Sequence, residues 1–252
     1  MSWSGCSPFD KITLILQKFR ILHQAATWIA IEKPAGVRVH PPEDPRFRSQ
    51  GQQVDVIRIL RQQLGQRVYP VHRLDSATSG VLLMALDGET AGAIQEQFKS
   101  GGIEKTYVAL VRGWTEDTNE ICSPLTSGLN DGPEQEAQTV YETLFRFEIP
   151  VPSSKHSTSR FSLVQVSPVT GRYHQIRRHF SRISHPLIGD TVHGDGRQNR
   201  IWRELTGNSM LYLKAYRLSF ADPQTHTALK LQSRWNGSWQ RVFDRAGVCP
   251  FI

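Results

Sequence analysis

Apolar runs of strand length outnumber helical stretches along this chain, and the two kinds do not alternate. Strand-like runs fall at Arg20–His23, Trp28–Glu32, Val68–His72, Gly80–Leu86, Ile103–Arg112, Thr139–Phe147, Arg160–Ser167, Met210–Phe220 and Ala228–Gln232. Helical spacing links Val54, Ile57, Leu60 and Leu64, with Gly65 placed to cap the end. A second helix is predicted over Glu89–Phe98, stopped by Gly101-Gly102. A third carries Tyr173, Ile176, Phe180 and Ile183 on one face and opens near Thr170-Gly171, and the last stretch suits a short helix. Parallel strands need a long crossover between them, and no regular strand–helix–strand order supplies it. The pattern predicts an α+β fold with a mixed, largely antiparallel central sheet.

At 252 residues the chain can bury a core without disulfide or metal staples. Its longest apolar stretches, Ala25–Ile31 and Val81–Leu86, fall far short of the ~20 residues that span a bilayer. The start does not read as a signal peptide, because Ile12–Leu16 is short and runs into Gln17-Lys18. A cytoplasmic protein without a membrane partner is expected. Cys6, Cys122 and Cys249 form no C-x-x-C pair, which argues against a disulfide framework or a thiolate zinc site.

The net charge of +7 is unevenly placed. Residues 171–203 hold seven arginines against two acids, Asp190 and Asp195, whereas Glu116–Glu148 is acidic. Arginine in such density suits bidentate phosphate contacts and stacking on bases. Within that stretch Arg177 lies four residues after Tyr173 and three before Phe180, beside the apolar face of the expected helix. There it either snorkels or meets a buried carboxylate, and a structural ion pair and an active-site partner remain equal readings. Arg178 and Arg182 are expected to lie together, toward solvent or phosphate.

The turn His72-Arg73-Leu74-Asp75-Ser76-Ala77-Thr78-Ser79-Gly80 joins two apolar runs. Taken alone it is an Asx-type turn capped by Asp75. A Ser-His-Asp triad is a poor fit, because His72, Asp75 and Ser79 share one turn and no G-x-S-x-G elbow is present. Tyr107 alternates onto the face of Ile103, Ala109 and Val111, as a core tyrosine does, although Lys105 shares that face. His174, His179, His185 and His193 form no compact metal signature, and phosphate-binding glycine loops are absent.

Together these segments resemble the RluA family of pseudouridine synthases. The matching pieces run in family order: Lys33-Pro34-Ala35-Gly36 with Val39-His40-Pro41, the His72–Gly80 turn, Lys105-Thr106-Tyr107, Gly171-Arg172 with His174-Gln175-Ile176-Arg177, His185-Pro186 with Gly189-Asp190, and Leu211–Leu218. Within the family the TruC-type branch, which modifies tRNA at uridine 65, is the nearest in look. It shares Val81-Leu82-Leu83-Met84, Val111-Arg112-Gly113-Trp114 and the stretch from Arg177 to Arg200. Glu32, Ser76 and Lys214 depart from the family pattern, which has Asn or Asp, a basic residue and histidine there.

The resemblance implies a pseudouridine synthase fold with helices around the sheet and an active-site cleft. It implies one catalytic domain over residues 19–252, an N-terminal extension over 1–18 and no separate S4-like module. Asp75 is the implied essential carboxylate, Arg177 its ion-pair partner, and Tyr107 the ring that packs on the uracil. His72, Arg73, Lys105, Arg172, His174, Gln175, Arg178, Arg182, Arg197 and Arg200 are the expected RNA contacts. An isomerisation needs no metal or cofactor, and a monomer with tRNA as its partner is expected. An rRNA uridine, another tRNA position, or a non-catalytic RNA-binding factor on the same fold are the alternatives.

Overall fold

The computed structural model describes residues 18–41, 55–128, 132–153 and 156–250. The expected N-terminal extension therefore lies outside the described residues except for Lys18, as does Val54 of the first expected helix.

Twelve strands and five helices are present among the described residues. The strands are β1 (Arg20–Gln24), β2 (Trp28–Lys33), β3 (Tyr69–Pro70), β4 (Ser79–Ala85), β5 (Glu104–Arg112), β6 (Thr118–Cys122), β7 (Leu125–Thr126), β8 (Glu134–Gln135), β9 (Gln138–Ile149), β10 (Ser159–Pro168), β11 (Leu213–Ala221) and β12 (Ala228–Gln232). The helices are α1 (Val56–Leu64), α2 (Gly88–Ser100), α3 (Gln175–Arg182), α4 (Gly196–Thr206) and α5 (Gly237–Ala246). Ten strands form one sheet in the order β1-β2-β4-β11-β5-β10-β9-β6, with β12 added on β11 and β3 on β4. Every pairing is antiparallel except β4 with β11. The fold is thus α+β with a mixed, largely antiparallel sheet.

Both faces of the central strands are covered, so their sequences read as continuous apolar runs. Along β4, Leu82 and Met84 pack with Val56, Ile59 and Leu60 of α1 on one face. Val81, Leu83 and Ala85 pack with Ala91 and Ile94 of α2 on the other. Further along the sheet, Leu110 and Phe161 meet α4 and α5 through Trp202, Trp239 and Phe243. On the opposite face Val111 and Val164 meet Ile176 and Phe180 of α3.

The parallel seam is short, joining Ser79 to Lys214 and Gly80 to Ala215. Gly80 sits at φ 119°, and a Cβ there would stand 2.1 Å from the Ala215 carbonyl oxygen. Only glycine permits that approach, and the approach fixes the end of the loop that carries Asp75. Two of the unusual residues of the sequence meet beside this seam. Lys214, 1% exposed, donates to Glu32 at 2.8 Å, and Glu32 also accepts from Ser233 and from the Arg234 amide. The two departures are therefore one satisfied pair, buried at Lys214 and half-buried at Glu32.

Two expected elements come out differently. The strand expected over Val68–His72 shrinks to Tyr69–Pro70, because the His72 ring, not a neighbouring strand, takes up the Leu83 amide. The helix expected to open near Gly171 begins at Gln175, whose side-chain oxygen accepts from the Arg172 amide and the Thr170 hydroxyl. That turn removes Tyr173 from the core face and leaves it 37% exposed. No helix among the described residues is long and apolar enough to cross a membrane.

Candidate active site

Three segments converge on a cleft of about 720 Å³. The loop between β3 and β4 brings Asp75, β5 brings Lys105 and Tyr107, and the turn into α3 brings Arg172 to Arg177. Lys33 fixes the first segment. Its ammonium is fully buried and donates to the carbonyls of Pro34, Ser76 and Thr78 at 2.9, 3.0 and 2.7 Å. Three acceptors match the three N–H groups of a charged lysine. Burial pulls its pKa down to about 7, and the nearby Asp75 charge opposes that fall.

Arg177 is the centre of the charged network. Its Nη1 lies 3.2 Å from Asp75 Oδ2, while Nε and Nη2 grip Asp190 at 2.7 and 2.8 Å. Burial works against the guanidinium charge, but the Asp190 hydrogen bonds and the charges of Asp190 and Asp75 outweigh it and raise the pKa. Asp190 has a fully buried side chain, and the backbone amides of Val192 and His193 also donate to it. Burial alone would raise its pKa, yet Arg177 and these amides hold it below the usual range. Asp75 differs in its surroundings, for 27% of its side chain is open to the cleft. Asp190 anchors the arginine, and the arginine presents Asp75 to whatever enters.

Tyr107, Lys105 and His174 complete the walls nearest Asp75. Burial, reinforced by the Asp75 charge, raises the pKa of Tyr107, so its phenol stays protonated. Lys105 stands on the same strand face, two residues away, with its pKa lowered by burial. His174 adopts a left-handed backbone at φ 51°, which no glycine relieves. Its Nε2 is 3.7 Å from Asp75 Oδ2 and its Nδ1 is 3.0 Å from His193 Nε2. Desolvation is the main cause that lowers its pKa to about 4, so the ring is neutral at pH 7.

The expected RNA contacts divide sharply. Arg73 and Arg200 are exposed, and their guanidinium groups make no hydrogen bond or ion pair among the described residues. Arg172 is half-buried on the cleft wall and reaches the Glu136 carbonyl, and exposed Arg197 makes one long contact of 3.4 Å to Pro152. Lys105, half-buried on the cleft wall, also makes no hydrogen bond or ion pair among the described residues, and the others are committed internally. His72 accepts the Leu83 amide and stacks on Phe98, and burial followed by the Lys105 charge lowers its pKa to about 3. Gln175 ties the 170–172 turn to Gln138 and Thr139. Arg178 is buried on the oxygens of Thr126 and Gly128, and Arg182 reaches the Pro124 carbonyl. The expectation that Arg178 faces solvent is thus corrected, because a turn over β7 covers it.

The sequence reading assigns no role to Lys33, Asp190 or His193, all of which shape the site. One signal pointed toward Asp190: an arginine beside an apolar helix face that does not snorkel needs a carboxylate, and residues 171–203 contain only two. Lys33 gave no such signal, since its partners are main-chain carbonyls.

Comparison with known proteins agrees with this architecture. The family described as RNA pseudouridylate synthase matches residues 27–182, more than half of the chain. The tRNA pseudouridine synthase C of Vibrio vulnificus is 38% identical over 234 residues, covering 89% of this chain and 94% of that protein. The protein of the same name from Pasteurella multocida is 41% identical over 236 residues, covering 89% and 96%. Among solved structures, human RNA Pseudouridylate Synthase Domain Containing 4 superposes with a TM-score of 0.69 at 23% identity, covering 95% and 96%. Human RNA Pseudouridylate Synthase Domain Containing 1 gives 0.68 at 20%, covering 94% and 98%. These two establish likeness of fold.

Proposed function

The chain belongs to the RNA pseudouridylate synthase family, of the RluA type, and from that premise we propose that it isomerises a uridine of tRNA to pseudouridine. The relatives named tRNA pseudouridine synthase C, similar over nearly their whole length, support tRNA as the substrate. The finer reading is uridine 65, in the T stem next to the acceptor stem, acted on by a cytoplasmic monomer. The observation that carries the chemistry is Asp75, the single carboxylate facing the cleft among the described residues, held by a buried arginine that a second carboxylate anchors.

The reaction breaks the C1′–N1 bond, turns the uracil within the site and joins C5 to C1′, with loss of the hydrogen at C5. Asp75 acts on the ribose, as nucleophile at C1′ or as base for a sugar proton, and a carboxylate suits either role. Arg177 pairs with that carboxylate and orients it toward the cleft. Tyr107 packs on the uracil and confines it while it rotates. Because burial and the Asp75 charge raise its pKa, Tyr107 meets the uracil as a ring and a hydrogen-bond donor, and the proton at C5 passes to solvent water. A uridine within a stem must leave its helix to reach Asp75, and Arg73, exposed on the cleft lining, fills the gap it leaves.

Tritium release from unmodified tRNA labelled as [5-³H]uridine tests the reading, since the new bond expels that hydrogen. Wild-type protein should release it, and Asp75→Asn should release none while still binding the tRNA. Mapping the product tests position 65. Release from rRNA alone would overturn the substrate, and no release from either RNA would overturn the chemistry.

A further inference from the structure

We infer that the outer face of Tyr173 is a stacking platform for a nucleobase next to the target uridine, a reading that rests on the RNA-modifying function above. Tyr173 is an aromatic side chain left 37% exposed at the rim of the cleft that holds Asp75. Its inner face is already occupied. The ring lies 3.9 Å from that of His174 with 17° between their planes, a parallel stack. His174 in turn is fixed by its hydrogen bond to His193 and faces Asp75 at 3.7 Å. A base laid on Tyr173 would therefore extend a column whose inner layer touches the catalytic carboxylate.

The backbone beneath the ring is held as firmly as the ring itself. Gln175 bonds Thr170, Arg172, Gln138 and Thr139, and Arg178 Nη1 reaches the Tyr173 carbonyl at 3.4 Å. A ring fixed before binding loses little freedom when a base arrives. Tyr173 makes no other ring contact among the described residues, and its hydroxyl bonds no protein group there. A tyrosine present only to shield His174 has no need of a bare outer face at the cleft rim. The surroundings suit a nucleotide: Arg73 and Arg172 line the same cleft for phosphates, and exposed Val169 extends the apolar rim. Stacking of this kind accepts any base, because every base has a π face.

The test measures Kd for unmodified tRNA together with kcat and KM for tritium release. Tyr173→Leu keeps an apolar cover on His174 but removes the aromatic face. It should raise Kd and KM about tenfold and leave kcat within about twofold, as the loss of one stacked base predicts. Tyr173→Phe should restore wild-type values, and Tyr173→Trp should bind at least as tightly as wild type. The proposal is overturned if Tyr173→Leu binds like wild type, if the Phe or Trp variant binds no better than Leu, or if the Leu variant lowers kcat with KM unchanged. That last result would make Tyr173 a support for His174 alone. If wild-type protein binds tRNA without releasing tritium and Tyr173→Leu still weakens binding, the catalytic reading fails and the platform stands.

Discussion

Helices α3 and α4 each carry three arginines, and the two sets have opposite fates. Arg177, Arg178 and Arg182 of α3 are all tied to protein oxygens. Arg197, Arg200 and Arg203 of α4 are exposed, and the guanidinium groups of Arg200 and Arg203 bond nothing among the described residues. Helix α4 turns its apolar side, Ile201 and Trp202, to the core and leaves its charges to water. Helix α3 is buried on nearly every side and must find an acceptor for each N–H it brings inside. A run of positive charge is thus two devices, one that builds the site and one free to meet phosphate. Asn199 couples them, since its side chain in α4 bonds the Gly189 amide and the Asp190 carbonyl, next to the carboxylate that anchors Arg177.

The largest expected effect tests the buried device. Asp190→Asn leaves Arg177 without its charged anchor and should cost about 3–5 kcal/mol of stability, as breaking a buried pair does. Tritium release should fall by about 10²-fold or more, because the guanidinium no longer holds Asp75 in place. Full activity and an unchanged melting temperature would break the division between the helices. Arg178→Met should come next, at about 1–3 kcal/mol, for it strands the Thr126 and Gly128 carbonyls. Denaturant unfolding would show this loss, and the salt dependence of tRNA binding should not change. A flatter salt slope would place Arg178 on the RNA after all.

Acid tests the buried groups around the site. His72 and His174 have folded-state pKa values of about 3 and about 4, below the ~6.5 of an unfolded histidine. Below pH 6.5 the unfolded chain binds protons that these rings refuse, so their contribution is full above that pH and declines toward pH 4. Asp190, with its pKa lowered, adds a loss only below the ordinary carboxylate range. Unfolding at pH 5 should therefore take up about two protons from these histidines, and His72→Gln should remove about one of them by calorimetry. The exposed arginines of α4 are probed by salt rather than by acid. Their test is the mildest. Arg200→Gln with Arg203→Gln should leave the melting temperature unchanged, weaken tRNA binding several-fold and reduce the slope of log K against log salt by about 1–2. An unaltered slope would remove α4 from the RNA interface.

Much was legible in the chain itself. The unalternating apolar runs dictated a largely antiparallel sheet, because local patterning follows from which faces must be buried. The turn between two such runs carried Asp75, and an arginine beside an apolar helix face had either to snorkel or to meet a buried carboxylate. Arg177 does meet Asp75, 102 residues away in sequence. What the chain could not display was how each polar group is satisfied. Lys33 binds three carbonyls, and carbonyls leave no mark in a sequence. The Gln175 side chain delays the start of α3 and turns Tyr173 outward, where 3.6-residue periodicity placed it in the core. Glu32 and Lys214, each odd alone, become ordinary once strand pairing sets them together. Periodicity records burial, which each segment carries locally; hydrogen-bond partners belong to pairs of segments, and only the folded chain decides those pairs.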